Sequence, residues 1–155
     1  MPLDSNFVSA TDKAALLAAS TPEVLEMCKQ TLSELTYKVH CPPSHDLFAA
    51  RFGQLQYHLV LLEQLFCARI PAENDSLLRL QTLPMTQRRH AVVLLVGESF
   101  ESLNPMQAFQ QSVHAVINRR DLTSLPQIIV KAVADTDAFL NLYRNVQLKL
   151  IHGKS

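Results

Sequence analysis

The longest apolar run of the sequence, residues 91–97 (AVVLLVG), limits the folds that are open to this chain. It is far shorter than the roughly 18–20 residues that a membrane-spanning helix requires. By composition it fits either a buried strand or part of a buried helix. A second strongly apolar segment, residues 59–67, is interrupted only by Glu63 and Gln64. Both segments are therefore expected in the interior of the fold or at an interface.

The spacing of apolar residues favours helices along most of the chain. Residues 21–23 (TPE) combine a capping hydroxyl, a proline at the first helical position and an acid in the first turn. Ser44 is a similar helix start, and the helix that follows it is expected to run to about Arg69, through residues 59–67. Asn104 followed by Pro105 is another such start. The last helix, expected from about Gln127 to Ile151, has a stripe at Ala132, Thr136, Phe139, Tyr143, Val146 and Leu150.

Residues 91–97 are interpreted as helical as well. Thr86 offers a cap, and Val93, Val96 and Phe100 continue a helical step. No second strand is recognised with which a strand at this position would pair. The prediction is therefore an all-α fold, an antiparallel bundle of five to six amphipathic helices in a single domain. This domain is expected to span residues 11–152, after a flexible N-terminal tail at residues 1–10.

Composition excludes several classes of protein. Of the 155 residues, 48% are hydrophobic and 18% are charged, with a formal net charge of zero. A disordered chain would be more polar, and a nucleic-acid-binding module that relies on bulk charge would be basic. A nucleic-acid partner and membrane insertion are thus not expected. No signal peptide is recognised, and three irregularly spaced cysteines fit a reducing compartment, which predicts a cytoplasmic protein.

Few residue patterns indicate metal chemistry. No glutamate is followed by a histidine three residues later, which argues against a carboxylate-bridged di-iron site in a bundle. The densest set of potential ligands is His40, Cys41 and His45, which are residue types that bind zinc. Two prolines separate Cys41 from His45, so an exposed turn between helices is the favoured interpretation, and no cofactor is expected.

One pair of residues indicates nuclease chemistry. Arg51 and His58 have six residues between them, and a seven-residue step places both on one helical face. This pair resembles the Arg–His motif of helical nucleases of the HEPN class. The resemblance covers this motif alone and implies a ribonuclease site that pairs with its copy across a dimer. The chain departs from the class at Phe52, where a polar residue is usual.

The surplus of apolar residues carries the main functional prediction. A soluble chain must cover such a surface, most simply in a homo-oligomer with a two-fold dimer interface. The residues expected at that interface are Leu59, Leu62, Phe66, Val93 and Val96. We therefore predict a non-enzymatic helical interaction module, an adaptor, regulator or chaperone-like protein that also contacts other proteins. The alternatives are a bundle that binds a small apolar ligand in an interhelical pocket, and the HEPN-like ribonuclease.

Overall fold

The fold alternates strands and helices along the chain. The computed structural model describes residues 13–84 and 91–151. The strands are β1 (Lys13–Ala18), β2 (Tyr37–His40), β3 (Leu59–Glu63), β4 (Val92–Gly97) and β5 (Ala115–Asn118). The helices are α1 (Pro22–Glu34), α2 (His45–Gln54), α3 (Asp75–Thr82), α4 (Pro105–Gln111) and α5 (Leu125–Ile151), with 3₁₀ turns at Pro71–Glu73 and Arg119–Ser124. The predicted tail at residues 1–10, the predicted cap Thr86 and residue 152 lie outside the described residues.

The strands form one sheet in the order β2-β1-β3-β4-β5, and every neighbouring pair is parallel. The register places Leu16 beside His40 on one side and beside Val60 on the other. Helices α1 and α5 pack on one face of the sheet, and α2, α3 and α4 pack on the other. The protein is therefore an α/β domain with a sheet covered on both faces.

The all-α prediction is wrong, and residues 91–97 show why. They include strand β4, in which all six residues are buried, and β3 and β5 are its neighbours. A parallel strand buried on both faces is apolar throughout, so it lacks the alternation that usually reveals a strand. Residues 59–63, also read as helical, form β3 for the same reason. The helical-bundle interpretation fails with these two segments.

Local helix starts were predicted more accurately than helix lengths. Ser44 caps α2 by accepting a hydrogen bond from the Leu47 amide at 3.2 Å. Asn104 caps α4 in the same way, with the Gln107 amide at 3.0 Å. Helix α2 ends at Gln54, although a helix to about residue 69 was predicted, because the chain enters the sheet at β3.

The residues expected at an oligomer interface lie in the core of a single chain. This applies to Leu59, Leu62, Phe66, Val93 and Val96, all of which are buried. They pack against residues of neighbouring strands and of the helices on both faces of the sheet. These helices therefore cover the apolar surface for which the sequence predicted a partner subunit. Among residues 13–84 and 91–151, no helix combines the length and the apolar character needed to cross a membrane.

Two glycines provide a matched test of this packing. A Cβ at Gly97, at the end of β4, would lie 2.8 Å from both Gln64 Oε1 and a carbon of the Phe100 ring, whereas a Cβ at Gly53 in α2 would meet nothing within 4 Å. We expect Gly97→Ala to lower the free energy of unfolding by about 1–3 kcal/mol through overpacking. Gly53→Ala should raise it by about 0.5–1 kcal/mol through helix propensity. Urea unfolding of both variants checks this, and equal effects would contradict the described packing.

Candidate functional site

The candidate site lies at the carboxyl ends of the parallel strands. The chain passes from β1 outward to β2 and then returns across β1 to β3, so the strand order reverses between β1 and β3. In open parallel sheets, ligands bind in the crevice outside the carboxyl ends of the strands at such a reversal. In this protein the crevice is bounded by Ser20 and Thr21 after β1 and by Glu63 at the end of β3.

The side chain of Glu63 closes this crevice. Its Oε1 accepts hydrogen bonds from the Ser20 amide at 2.7 Å and the Thr21 amide at 3.1 Å. Its Oε2 accepts a third bond, from the Thr21 hydroxyl at 2.6 Å. We call these three residues the Glu63 bridge. The bridge joins the segment after β1 to the last residue of β3, and the residues that it connects are 42 and 43 positions apart in the sequence.

The Glu63 bridge lies immediately before the start of α1, on the amides of Ser20 and Thr21. Thr21 is the N-cap residue of α1, yet its side chain makes no capping bond to its own helix. Helix N-termini attract anions through free amide groups and the helix dipole. Here the chain supplies the anion itself, as a carboxylate from another strand. The crevice that holds a ligand in other sheets of this kind is filled by a protein side chain.

A small cleft remains beside Glu63, between the ends of β3 and β4. It has a volume of about 130 Å³ and is bordered by Gly97, Glu98 and Arg119. An exposed ion pair of 3.5 Å joins Arg119 to Glu98 across it. Pockets for small organic ligands generally measure about 300–1,000 Å³. The cleft is therefore too small for a typical organic substrate or cofactor.

Two buried asparagines brace the same edge of the sheet. Asn74 donates to the carbonyl oxygens of Glu63 at 3.1 Å and Gln64 at 2.9 Å, and its Oδ1 caps α3. Asn118, at the end of β5, donates to the Phe100 carbonyl at 2.7 Å. Buried asparagine side chains that are hydrogen-bonded in this way rigidify the loops that they connect. The loops at the carboxyl edge are therefore held by protein groups on both sides of the cleft.

One buried thiol lies close to this edge. Burial raises the pKa of the Cys28 thiol from 9.0 to about 12, and the negative charges of Glu63 and Cys41 add smaller upward contributions. The side chain belongs to the core between α1 and the sheet. Because the thiolate is the reactive form, Cys28 is inert at neutral pH and plays a packing role.

The three candidate metal ligands, for which an exposed turn was the favoured interpretation, have separate surroundings in the structure. His40 Nδ1 lies 2.7 Å from the Tyr57 hydroxyl, and His45 Nδ1 lies 2.8 Å from Ser76 Oγ. Cys41 is exposed at the surface. In the described part of the chain, no group of three or more histidine, cysteine, aspartate or glutamate side chains is arranged to hold a metal ion.

The nuclease hypothesis is wrong, because its two residues do not share a helix. Arg51 lies in the last turn of α2, which ends at Gln54, and His58 lies in the segment that leads into β3. The common helical face that the HEPN resemblance requires is therefore absent.

The prediction of an interhelical ligand pocket is also wrong, because the sheet separates the helices into two layers. A further depression, of about 450 Å³, lies open on the surface of α5 alone, at Pro126, Val130 and Ala134.

The residues of the carboxyl edge share a sequence signal that the helical interpretation missed. Ser20, Glu63 and Asn118 each come directly, or within two residues, after a short apolar run. If such runs are read as parallel strands, the polar residues that follow must meet at one edge of the sheet. In the sequence, Glu63 was recognised only as an interruption of an apolar segment.

The fold matches that of CheY-like receiver domains. The chain is similar to a response regulator receiver domain protein from Methanospirillum hungatei, with 15% identity, a TM-score of 0.63, and coverage of 83% of this chain and 98% of that chain. A response regulator from Thermotoga maritima aligns with 10% identity and a TM-score of 0.60, covering 79% and 98%. The signal receiver domain of a Luxo repressor protein from Vibrio parahaemolyticus aligns with 10% identity and a TM-score of 0.61, covering 92% and 99%.

No protein-family model and no curated protein matches the sequence. Identities this low establish a shared fold and nothing further. The comparisons overturn the predicted helical-bundle adaptor together with its alternatives, because all of them required an all-α architecture.

Asn74 provides a test of the braced edge. Asn74→Ala leaves two buried carbonyl groups without their donor and removes the cap of α3, so we expect a loss of at least about 2 kcal/mol of unfolding free energy. Asn145→Ala, at an exposed position of α5, is the matched control and should cause no loss. Urea denaturation measures both, and a neutral Asn74→Ala would show that the edge is not held in this way.

The cysteines provide a chemical test. Cys41 and Cys67 are exposed, whereas Cys28 is buried with a pKa of about 12. Burial also raises the pKa of the Cys41 thiol, so iodoacetamide at neutral pH should modify Cys67 fastest and Cys41 more slowly in the folded protein, and should modify Cys28 only after unfolding. Peptide mass spectrometry identifies the modified residues. Rapid modification of Cys28 under native conditions would contradict the placement of α1 on the sheet.

Proposed function

We propose that this protein is a non-enzymatic signalling regulator with a receiver-type fold, which acts through contacts with other proteins. The similarity to response regulator receiver domains supports the signalling role. The Glu63 bridge is the observation that carries the proposal, because it closes the crevice where a sheet of this kind would otherwise hold a ligand. A regulator whose ligand crevice is occupied by its own side chain contacts other proteins through its outer surfaces.

The chemistry of the Glu63 bridge supports a built-in rather than an exchangeable anion. Charge-assisted hydrogen bonds from two amides and one hydroxyl are stronger than neutral ones. An intramolecular carboxylate also competes with free anions at a high effective concentration. The loops after β1 and β3 are therefore held in one arrangement without an added ion. This protein's regulatory state is set by its sequence and by its protein contacts.

Two further features belong to this proposal. A homo-oligomer is one form that its protein contacts take, and exposed apolar side chains in the second half of α5 support it, since the apolar runs themselves are covered within one chain. The cytoplasm is the proposed compartment, in keeping with three cysteines that are all free thiols.

The Glu63 bridge can be tested by chemical rescue. Glu63→Ala leaves the two amides and the Thr21 hydroxyl without their acceptor, so we expect a loss of about 1.5–3 kcal/mol of stability. The variant leaves these three donors free immediately before α1, so added sodium acetate should restore part of the loss in a saturable manner. Thermal unfolding at constant ionic strength, with sodium chloride as the reference salt, measures the effect.

Glu98→Ala is the matched control for this rescue. Glu98 borders the same cleft, but its carboxylate is exposed and makes one ion pair of 3.5 Å. Its removal should cost less than about 1 kcal/mol and should create no dependence on acetate. The wild-type protein should show no saturable stabilisation by acetate, inorganic phosphate or Mg²⁺. Saturable stabilisation of the wild type by any of these would overturn the proposal, since the crevice would then be open to a ligand.

A further inference from the structure

Helix α5 carries one continuous apolar seam, of which only the first half is covered. Leu125, Ala132, Phe139 and Val146 follow one another at intervals of seven residues. The second heptad position of the same seam contains Ile129, Thr136 and Leu150. We call these seven residues the α5 seam. Apolar residues in two such positions, sustained over several heptads, are the pattern of a helix that packs against another helix.

The burial of the seam changes sharply along the helix. Leu125, Ile129 and Ala132 are buried against the sheet. Farther along, Phe139 is 66% exposed, Val146 49% and Leu150 77%. The residues after Thr136 form about four helical turns, or roughly 22 Å, that continue beyond the sheet. The outer half of the α5 seam therefore presents large apolar side chains with no cover from this chain's described residues.

The exact period of the seam indicates what kind of surface covers it. In a straight α-helix, positions seven residues apart drift by about 20° per heptad. The seam keeps the seven-residue interval from its buried half into its exposed half. A supercoiled helix pair maintains contact along such a repeat, whereas packing on a sheet does not require it. The period therefore favours a helix as the partner of the outer half.

We propose that a second copy of this chain covers the outer half of the α5 seam, in an antiparallel two-helix contact. This inference rests on the proposed function in one respect, because it names one of the protein partners through which the protein is proposed to act. A two-fold pair buries the same surface on both copies, so the seam is its own complement. Leu142, which is also exposed, flanks the seam on the same side of the helix and widens the contact.

Charge favours the antiparallel orientation. Asp135 and Lys149 both occupy the position immediately before the second heptad position, fourteen residues apart. In an antiparallel pair these positions face each other, so each Asp135 faces the Lys149 of the other copy. In a parallel pair Asp135 would instead face uncharged Leu140, and its attraction to Lys149 would be lost. Asp135 is 66% exposed in its ion pair with Lys131, so its carboxylate is accessible from outside.

The test begins with molar mass in solution. One chain has a mass of 17.4 kDa, and sedimentation equilibrium at micromolar concentrations should give twice this value. Val146→Glu places a charge in the seam and should raise the dimer dissociation constant at least about tenfold. Leu148→Glu is the matched control. Its side chain has nearly the same exposure, 52% against 49%, but projects from the opposite side of the helix.

Leu148→Glu should therefore remain dimeric. Circular dichroism and thermal unfolding verify that both variants are folded. A monomeric wild type, or equal dissociation constants for the two variants, would overturn the proposal. The outcome is separable from the Glu63 rescue, because molar mass reports on α5 and the acetate response reports on the edge between β1 and β3.

Crosslinking tests the orientation. In a background with Cys41→Ser and Cys67→Ser, Leu142→Cys should join to its copy through a short bismaleimide, because position 142 lies at the two-fold axis of the antiparallel pair. Val146→Cys should crosslink poorly, since in this register it faces Thr136 of the other copy. Efficient crosslinking of Val146→Cys without that of Leu142→Cys would show a parallel pair and overturn the antiparallel arrangement.

Discussion

Burial of both faces of the five-stranded parallel sheet is the constraint on which the rest of this structure depends. Parallel strands need crossover connections, and these place helices on both faces. Leu16 and Leu17 are neighbours in β1 that point to opposite faces, and both are fully buried. In the central strands β1, β3 and β4, polar side chains therefore occur only at the strand ends, whereas the edge strand β2 also contains Lys38.

The same parallel arrangement brings the carboxyl ends of all five strands to one edge. Glu63, Asn74 and Asn118 lie there and connect loops from neighbouring strands by hydrogen bonds. In many α/β proteins this edge holds a ligand, and the polar groups face outward to bind it. Here the carboxylate faces the start of α1. In the function that we propose, this carboxylate is a structural element, and the outer surfaces, above all the exposed half of α5, contact other proteins.

Part of this organisation is readable from local patterns. Ser44 and Asn104 act as helix caps where their sequence context predicts them, and the last helix occupies its expected range. The strands were not readable in this way, because a four- to six-residue apolar run has the same composition in a buried strand and in a buried helix. For residues 91–97 the choice depended on a partner strand, and its two partners were themselves hidden in runs interpreted as helices.

Local sequence thus specifies where helices begin, which runs are buried and that α5 carries a heptad seam, because caps and periodicity involve residues within a few positions of one another. Strand pairing and the Glu63 bridge arise only in the folded chain. The bridge joins residues 42 and 43 positions apart, and no local pattern records that Ser20 and Thr21 will meet Glu63. These residues meet because β1 lies beside β3 in the sheet. This pairing belongs to the arrangement in which helices cover both faces of the sheet.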